Sequence, residues 1–153
     1  GFEVNVVTNI TVASAKNPLK ATDHAFMIVD DGKIPDKDNL GGFRPEGVIG
    51  HASFGELGVY ISEDVLYDKP AKSGIYAGTG KTEMGYGTLE RTGAHELGHT
   101  GSLRHPRSGG LSNNLQNQTE QSNAGGQVTK EQILQMQEAY DKGELNKGRQ
   151  CYD

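Results

Sequence analysis

His95-Glu96-Leu97-Gly98-His99-Thr100-Gly101-Ser102-Leu103-Arg104-His105 is the stretch that organises the rest of the chain. Residues i and i+4 of a helix lie one above the other on one face. His95 and His99 can therefore both point at one ion about 2 Å away. Glu96 borders the same cleft, where a carboxylate can hold and deprotonate a water at the ion without touching the metal. Catalytic zinc ordinarily takes three protein ligands and leaves a position for water. His105 can be the third if the helix stops and the chain turns back, and Gly101 supplies a break. Glu120 is the rival third ligand, because some His-Glu-x-x-His sites take a downstream glutamate. The chain has 5 histidines, so three at these intervals are hard to read as scattered surface residues. His24 and His51 read as ordinary surface or partly buried side chains.

Working outward, Thr88 is placed to cap the helix that carries the motif, which runs through Leu89, Glu90, Ala94 and Leu97. Residues 106–128 are rich in Ser, Asn, Gln and Gly and read as a long connection. Thr129 and Gln132 form a capping box. Ile133, Met136, Ala139 and Tyr140 follow at helical spacing, and Gly143 stops the run. Upstream, the chain reads as sheet. Phe2, Val4, Val6, Ile10 and Val12 share one parity, His24 to Val29 is a second strand, and Leu57, Val59 and Ile61 mark one face of a third. Residues 31–50 and 68–87 read as loops. Strands first and helices after is an α+β pattern. No internal repeat is visible.

The length of 153 residues predicts a single domain over 1–153. Hydrophobic residues are only 33% and glycines number 22, so the core should be modest and the loops many. A net charge of −5, with no cluster of basic residues, argues against a nucleic-acid partner. The longest apolar run, Ala25 to Val29, is far short of the ~20 residues of a membrane span. The single cysteine, Cys151, excludes an internal disulfide and a cysteine-based metal cage. Lack of disulfides fits a cytosolic or bacterial origin. A start at Gly1 without a leader points to a mature, processed or excised form.

Residues 95–105 resemble the zinc motif of the metzincin metallopeptidases, HExxHxxGxxH. On this resemblance His95, His99 and His105 are the Zn2+ ligands and Glu96 is the catalytic residue. The chain would be a monomeric zinc endopeptidase acting on a protein or peptide substrate. Its fold would be a metzincin-like zincin: a twisted mixed sheet, an active-site helix and a C-terminal helix. The family glycine falls at Ser102, where a left-handed backbone would strain a serine, so a rearranged turn is expected. Ser112 to Gln118 resembles the family's Met-turn, with Gln116 in place of the methionine. The resemblance implies a tight turn at 114–117 beneath the histidines, with Gln116 bonded to nearby backbone or turned outward. It also implies that the strand from Leu57 to Ile61 is the edge strand that binds extended peptide, and that residues 106–118 wall the pocket beyond the cut. A narrower resemblance, to metallopeptidase domains at the C-terminal ends of bacterial polymorphic toxins, implies secretion or delivery outside the producing cell.

Two other functions fit the same residues. One is a zinc-holding scaffold with little catalysis, because Ser102 and Gln116 perturb the site; the intact Glu96 argues against it. The other is a zinc hydrolase acting on a non-peptide amide. Weaker signals fall short of their templates. Gly78 to Thr82 ends like a phosphate-binding loop but has Ile75 where that loop needs glycine. Asp30, Asp31, Asp36 and Asp38 miss the EF-hand spacing. Asn9 and Asn117 begin glycosylation sequons, and Cys151 is placed as a free terminal thiol.

Overall fold

The computed structural model describes residues 11–20, 23–36, 41–67, 88–106, 113–118 and 124–146, and the statements below refer to these. The alternation of Leu57, Val59 and Ile61 becomes burial: all three are at most 3% exposed. Val59 and Ile61 belong to strand β5 (Gly58–Ser62), and Leu57 immediately precedes it. β1 (Ala25–Val29) pairs with it in parallel, from Ala25↔Gly58 to Val29↔Ser62. On its other side β4 (Gly50–Ala52) pairs antiparallel, with Gly50↔Ile61 and Ala52↔Val59. β5 is thus the central strand of a mixed sheet ordered β1-β5-β4, which corrects the expectation that it is an edge. Its two long flanks are both taken by backbone hydrogen bonds, and the edge beside the histidine motif is β4.

Two other sheet expectations are also corrected. Residues 31–50 are not wholly loop. β2 (Pro35–Asp36) and β3 (Gly42–Phe43) form a small antiparallel ladder. It is supported by the fully buried Ile34 and by an Arg44–Asp36 ion pair of 3.4 Å. At the other end, residues 11 and 12 carry no strand and Val12 is 90% exposed. The chain turns almost at once, with paired backbone bonds between Ser14 and Asn17. The rest of that proposed strand lies outside the described residues.

Ala52, Val59, Ile61 and Val65 form the apolar core, with Ile49 packed against it. Val65 comes from the short helix α1 (Asp64–Tyr67), which the sequence periodicity did not indicate. Helix α2 (Leu89–Thr100) lies across β4 and β5. Thr88 caps it, its hydroxyl accepting from the Arg91 N–H at 3.3 Å. The inward side of α2 is not an apolar stripe. It buries Thr92, Gly93, His95, Glu96, Gly98, His99 and Thr100, while Leu89 and Ala94 face solvent.

The helix ends in a Schellman motif. The Ser102 N–H donates to His99 O at 2.8 Å and the Leu103 N–H to Gly98 O at 3.0 Å. The left-handed position belongs to Ser102 (φ 65°), whereas Gly101 has φ −80°. The turn is therefore not rearranged around Gly101, as expected from the sequence. The cap bonds and the buried Leu103 hold the serine in the strained conformation. Helix α3 (Lys130–Asp141) carries the full capping box between Thr129 and Gln132. Gly143 follows it at φ 66°. The molecule is a mixed α+β fold, and no described helix is long and apolar enough to cross a membrane.

Candidate metal centre

His95 and His99 stand one turn apart on the buried face of α2, and the Schellman turn brings His105 back to meet them. The His105 Nε2 lies 3.0 Å from His95 Nε2 and 3.1 Å from His99 Nε2. Each of the two helical rings has its other nitrogen on a carbonyl. His95 Nδ1 is 2.7 Å from Leu115 O, and His99 Nδ1 is 2.6 Å from Leu103 O. A carbonyl only accepts, so both Nδ1 atoms carry the proton and both Nε2 atoms present a bare lone pair. The His105 Nε2 can meet these lone pairs by donating its own hydrogen or, when it too is bare, through a positive ion held between the three rings. Ligands at 2.0–2.1 Å in a tetrahedron stand about 3.3 Å from each other, close to the spacing seen. The cluster can hold a metal ion: its three ligand atoms lie within 4.8 Å of one another. Carbonyl-fixed tautomers are also the usual outer support of histidine ligands.

Burial is the first cause that lowers both helical histidines from their ordinary 6.5 to about 4. The carbonyl bonds oppose this. Neighbouring positive charge adds to it, from Arg91 at His95 and from His51 at His99. At neutral pH both rings are uncharged and free to ligate. His105 is exposed and leaves one side of the cluster open to solvent. Phe54 stands at that rim, 48% exposed and edge-on to His99 with centroids 5.3 Å apart. The Arg104 guanidinium lies 4.8 Å from the Phe54 ring centre, in cation–π range.

Glu96 turns toward the sheet. It is 7% exposed, under β4, and accepts a hydrogen bond from the Ala52 backbone. Burial raises its pKa from 4.5 to about 8, the Ala52 bond pulling the other way. Gly50 makes room for it: a Cβ there would meet the Glu96 carboxylate at 2.8 Å. The carboxyl is thus held at the junction of the open edge strand and the helix that carries the histidines.

The turn expected at 114–117 is present beneath the cluster. The Asn117 N–H bonds back to Asn114 O at 3.3 Å, and Asn113 takes the left-handed conformation at φ 54°. Gln116 is fully buried, and its Nε2 donates to His95 O at 2.9 Å. Of the two expected arrangements, the inward one holds. The amide packs against Gly98, where any Cβ would run into Gln116 Nε2. Asn114 ties the turn to α3. Its Oδ1 accepts from the Gln116 N–H at 2.9 Å and from Gln132 Nε2 at 3.2 Å, and its Nδ2 donates to Gln132 Oε1 at 2.8 Å.

The structure therefore brings together His95, His99 and His105, with Glu96 beside His95 in the chain and the 113–118 turn below. His24 is exposed and His51 half-buried on β4, close enough to bear on His99. Asn117 is fully buried in the turn, which removes it as a surface glycosylation acceptor. Glu120, Cys151, Asn9, Asp38, residues 78–82 and residues 107–112 lie outside the described residues. Sequence reasoning missed Arg91, Phe54 and Gly50. Arg91 alone left a signal, since it lies four residues before His95 and so on the same helical face. No protein-family model matches the chain, and neither does any curated protein or solved structure.

Proposed function

We propose that the chain is a zinc metalloendopeptidase of metzincin type, with His95, His99 and His105 as metal ligands and Glu96 as general base. The observation that carries this reading is the convergence of three imidazole Nε2 atoms, two with tautomers fixed by carbonyls, next to a buried carboxyl. Three imidazoles, two of them kept neutral by burial, with an open side suit zinc better than calcium or magnesium, which prefer oxygen. When bound, zinc would supply the Lewis acidity that polarises the carbonyl to be cut and makes the attacking water acidic. In its ionised form, which the positive charge of a bound metal would favour over the protonated form that burial favours, Glu96 would take the proton of that water as it attacks and pass it to the leaving amine. Among the described residues β4 pairs on one side only, and its other edge, where the Ala52 N–H already serves Glu96, favours an extended peptide over a small amide.

Protein purified without chelator should carry about one zinc per chain, and it should release new amino termini from a mixed protein lysate. Glu96→Gln should keep the metal and the fold while turnover falls by about 10²–10⁴-fold. A protein that takes up no zinc would overturn the reading. Tight zinc binding without any new termini would leave the non-catalytic scaffold or the non-peptide hydrolase in its place.

A further inference from the structure

The two helical ligands are oriented by unlike means. His99 finds its acceptor in its own helix cap, at Leu103, four residues on. His95 finds its acceptor at Leu115, twenty residues away, in a turn that belongs to no helix or strand. The aim of His95 therefore depends on whatever holds that turn against α2. Arg91 lies one turn before His95 on the same helix. Its Nη2 donates to Asn117 O at 2.6 Å and lies 3.3 Å from Leu115 O, the same oxygen that receives His95 Nδ1. One side chain thus grips both ends of the three-residue stretch from Leu115 to Asn117.

We infer that Arg91 is a positioning residue of the metal centre: by clamping the Leu115 and Asn117 carbonyls to α2, it sets the orientation of the His95 ring and so the affinity for the metal. The inference rests on the metal reading above. Arg91 reaches the His95 ring through the Leu115 carbonyl that both share, and its charge also lowers the proton affinity of that ring. The fixed guanidinium geometry suits this task, because one nitrogen presents two hydrogens in a plane at the end of a long stem. The rival supports of the turn are the Leu115 N–H on Gln127 O at 2.7 Å and the Asn114–Gln132 amide pair. They hold it to residues 127 and 132 and not to the metal-bearing helix. The Gln116 amide, bonded to His95 O, makes a further tie to α2.

The test uses cobalt(II) as probe, with affinity read by competition against a chromophoric chelator and ligand geometry read from the visible absorption bands. Arg91→Met should bind cobalt about 10–100-fold more weakly than the parent, the usual effect of losing an outer support of a ligand. Its bands should also shift, and far-ultraviolet circular dichroism should report an intact fold. Arg91→Lys keeps the charge on a shorter stem and should fall between the two. A folded Arg91→Met with affinity within twofold of the parent and unchanged bands would overturn the inference. If Arg91→Met does not fold, the same result for Arg91→Lys would overturn it. A parent protein that binds no cobalt or zinc would instead overturn the metal reading, and this inference with it.

Discussion

Helix α2 rests on two unlike walls. Toward the sheet it meets β4 and β5, whose Ala52, Val59 and Ile61 belong to the apolar core and pack by volume, tolerating small changes. Toward the 113–118 turn it meets amides: Gln116 against Gly98, joined through Asn114 to Gln132 on α3. A wall of amides holds position through direction as well as contact. Its buried polar atoms are mostly paired, Gln116 Oε1 excepted, and the loss of one partner leaves others buried without water. Glu96, the proposed base, lies against the first wall, and the more remote support of the histidine cluster, at Leu115, lies in the second. The tolerant packing stands behind the carboxyl and the direction-sensitive packing behind the three histidines.

The sharpest way to break this contrast is to remove one group from each wall. Asn114→Ala strands the Gln116 N–H and the Gln132 amide in a dry interior, so we expect a loss of about 3 kcal/mol in urea unfolding. Ile61→Val removes one buried methyl from the apolar wall and should cost only about 1 kcal/mol. Equal losses would mean that the amide wall is no more demanding than the apolar one.

Proton linkage separates the two walls in a second way. His95 and His99, held near 4 in the fold, take up protons on unfolding, so metal-free stability should fall as pH drops below 6.5 and level off near 4. Glu96, raised to about 8, keeps in the fold a proton that the unfolded chain releases from 4.5 upward. Its contribution is present at low pH and is lost as pH rises through 8. Two histidines outweigh one glutamate between 4.5 and 6.5, and above 6.5 only the glutamate still changes. Thermal unfolding of the metal-free protein should therefore be most favourable to the fold near pH 6.5. Glu96→Gln should abolish the alkaline decline and leave the acid one. An alkaline decline that survives in Glu96→Gln would assign it to another group.

The smallest effect is expected where the two walls meet, at the end of α2. Ser102→Gly relieves a left-handed serine without touching its cap bonds and should stabilise the chain by about 1 kcal/mol. Denaturation midpoints would read this directly. A destabilised variant would show that the Ser102 side chain contributes more than its backbone strain costs.

What could be read in advance was whatever short-range order encodes. The i, i+4 histidines, the Thr88 cap and the Thr129–Gln132 box depend on residues within a turn or two of each other, and all appear as expected. The turn formers around Asn113 and Asn114 likewise announce their bend. The misses are set at longer range. Gly50-His51-Ala52 is too short to show a period, and it is a strand only because β5 pairs with it. That pairing is also what makes β5 central. Ser102 takes a conformation its own chemistry disfavours, because Leu103 and the carbonyls of α2 hold it there. The inward turn of Gln116 depends on the missing side chain at Gly98, eighteen residues earlier. No local pattern carries such information.

The Leu103 carbonyl that steadies His99 belongs to the same residue whose N–H closes the helix cap. Helix termination and ligand delivery are therefore one event in assembly. All three histidines fall within residues 95–105, so bringing them together closes only a short loop, which costs little chain entropy. The tie from His95 to Leu115 closes a longer one and needs the 113–118 turn in place. The histidine trio is thus a local structure of the helix and its cap, whereas the aim of His95 is set by contacts of longer range.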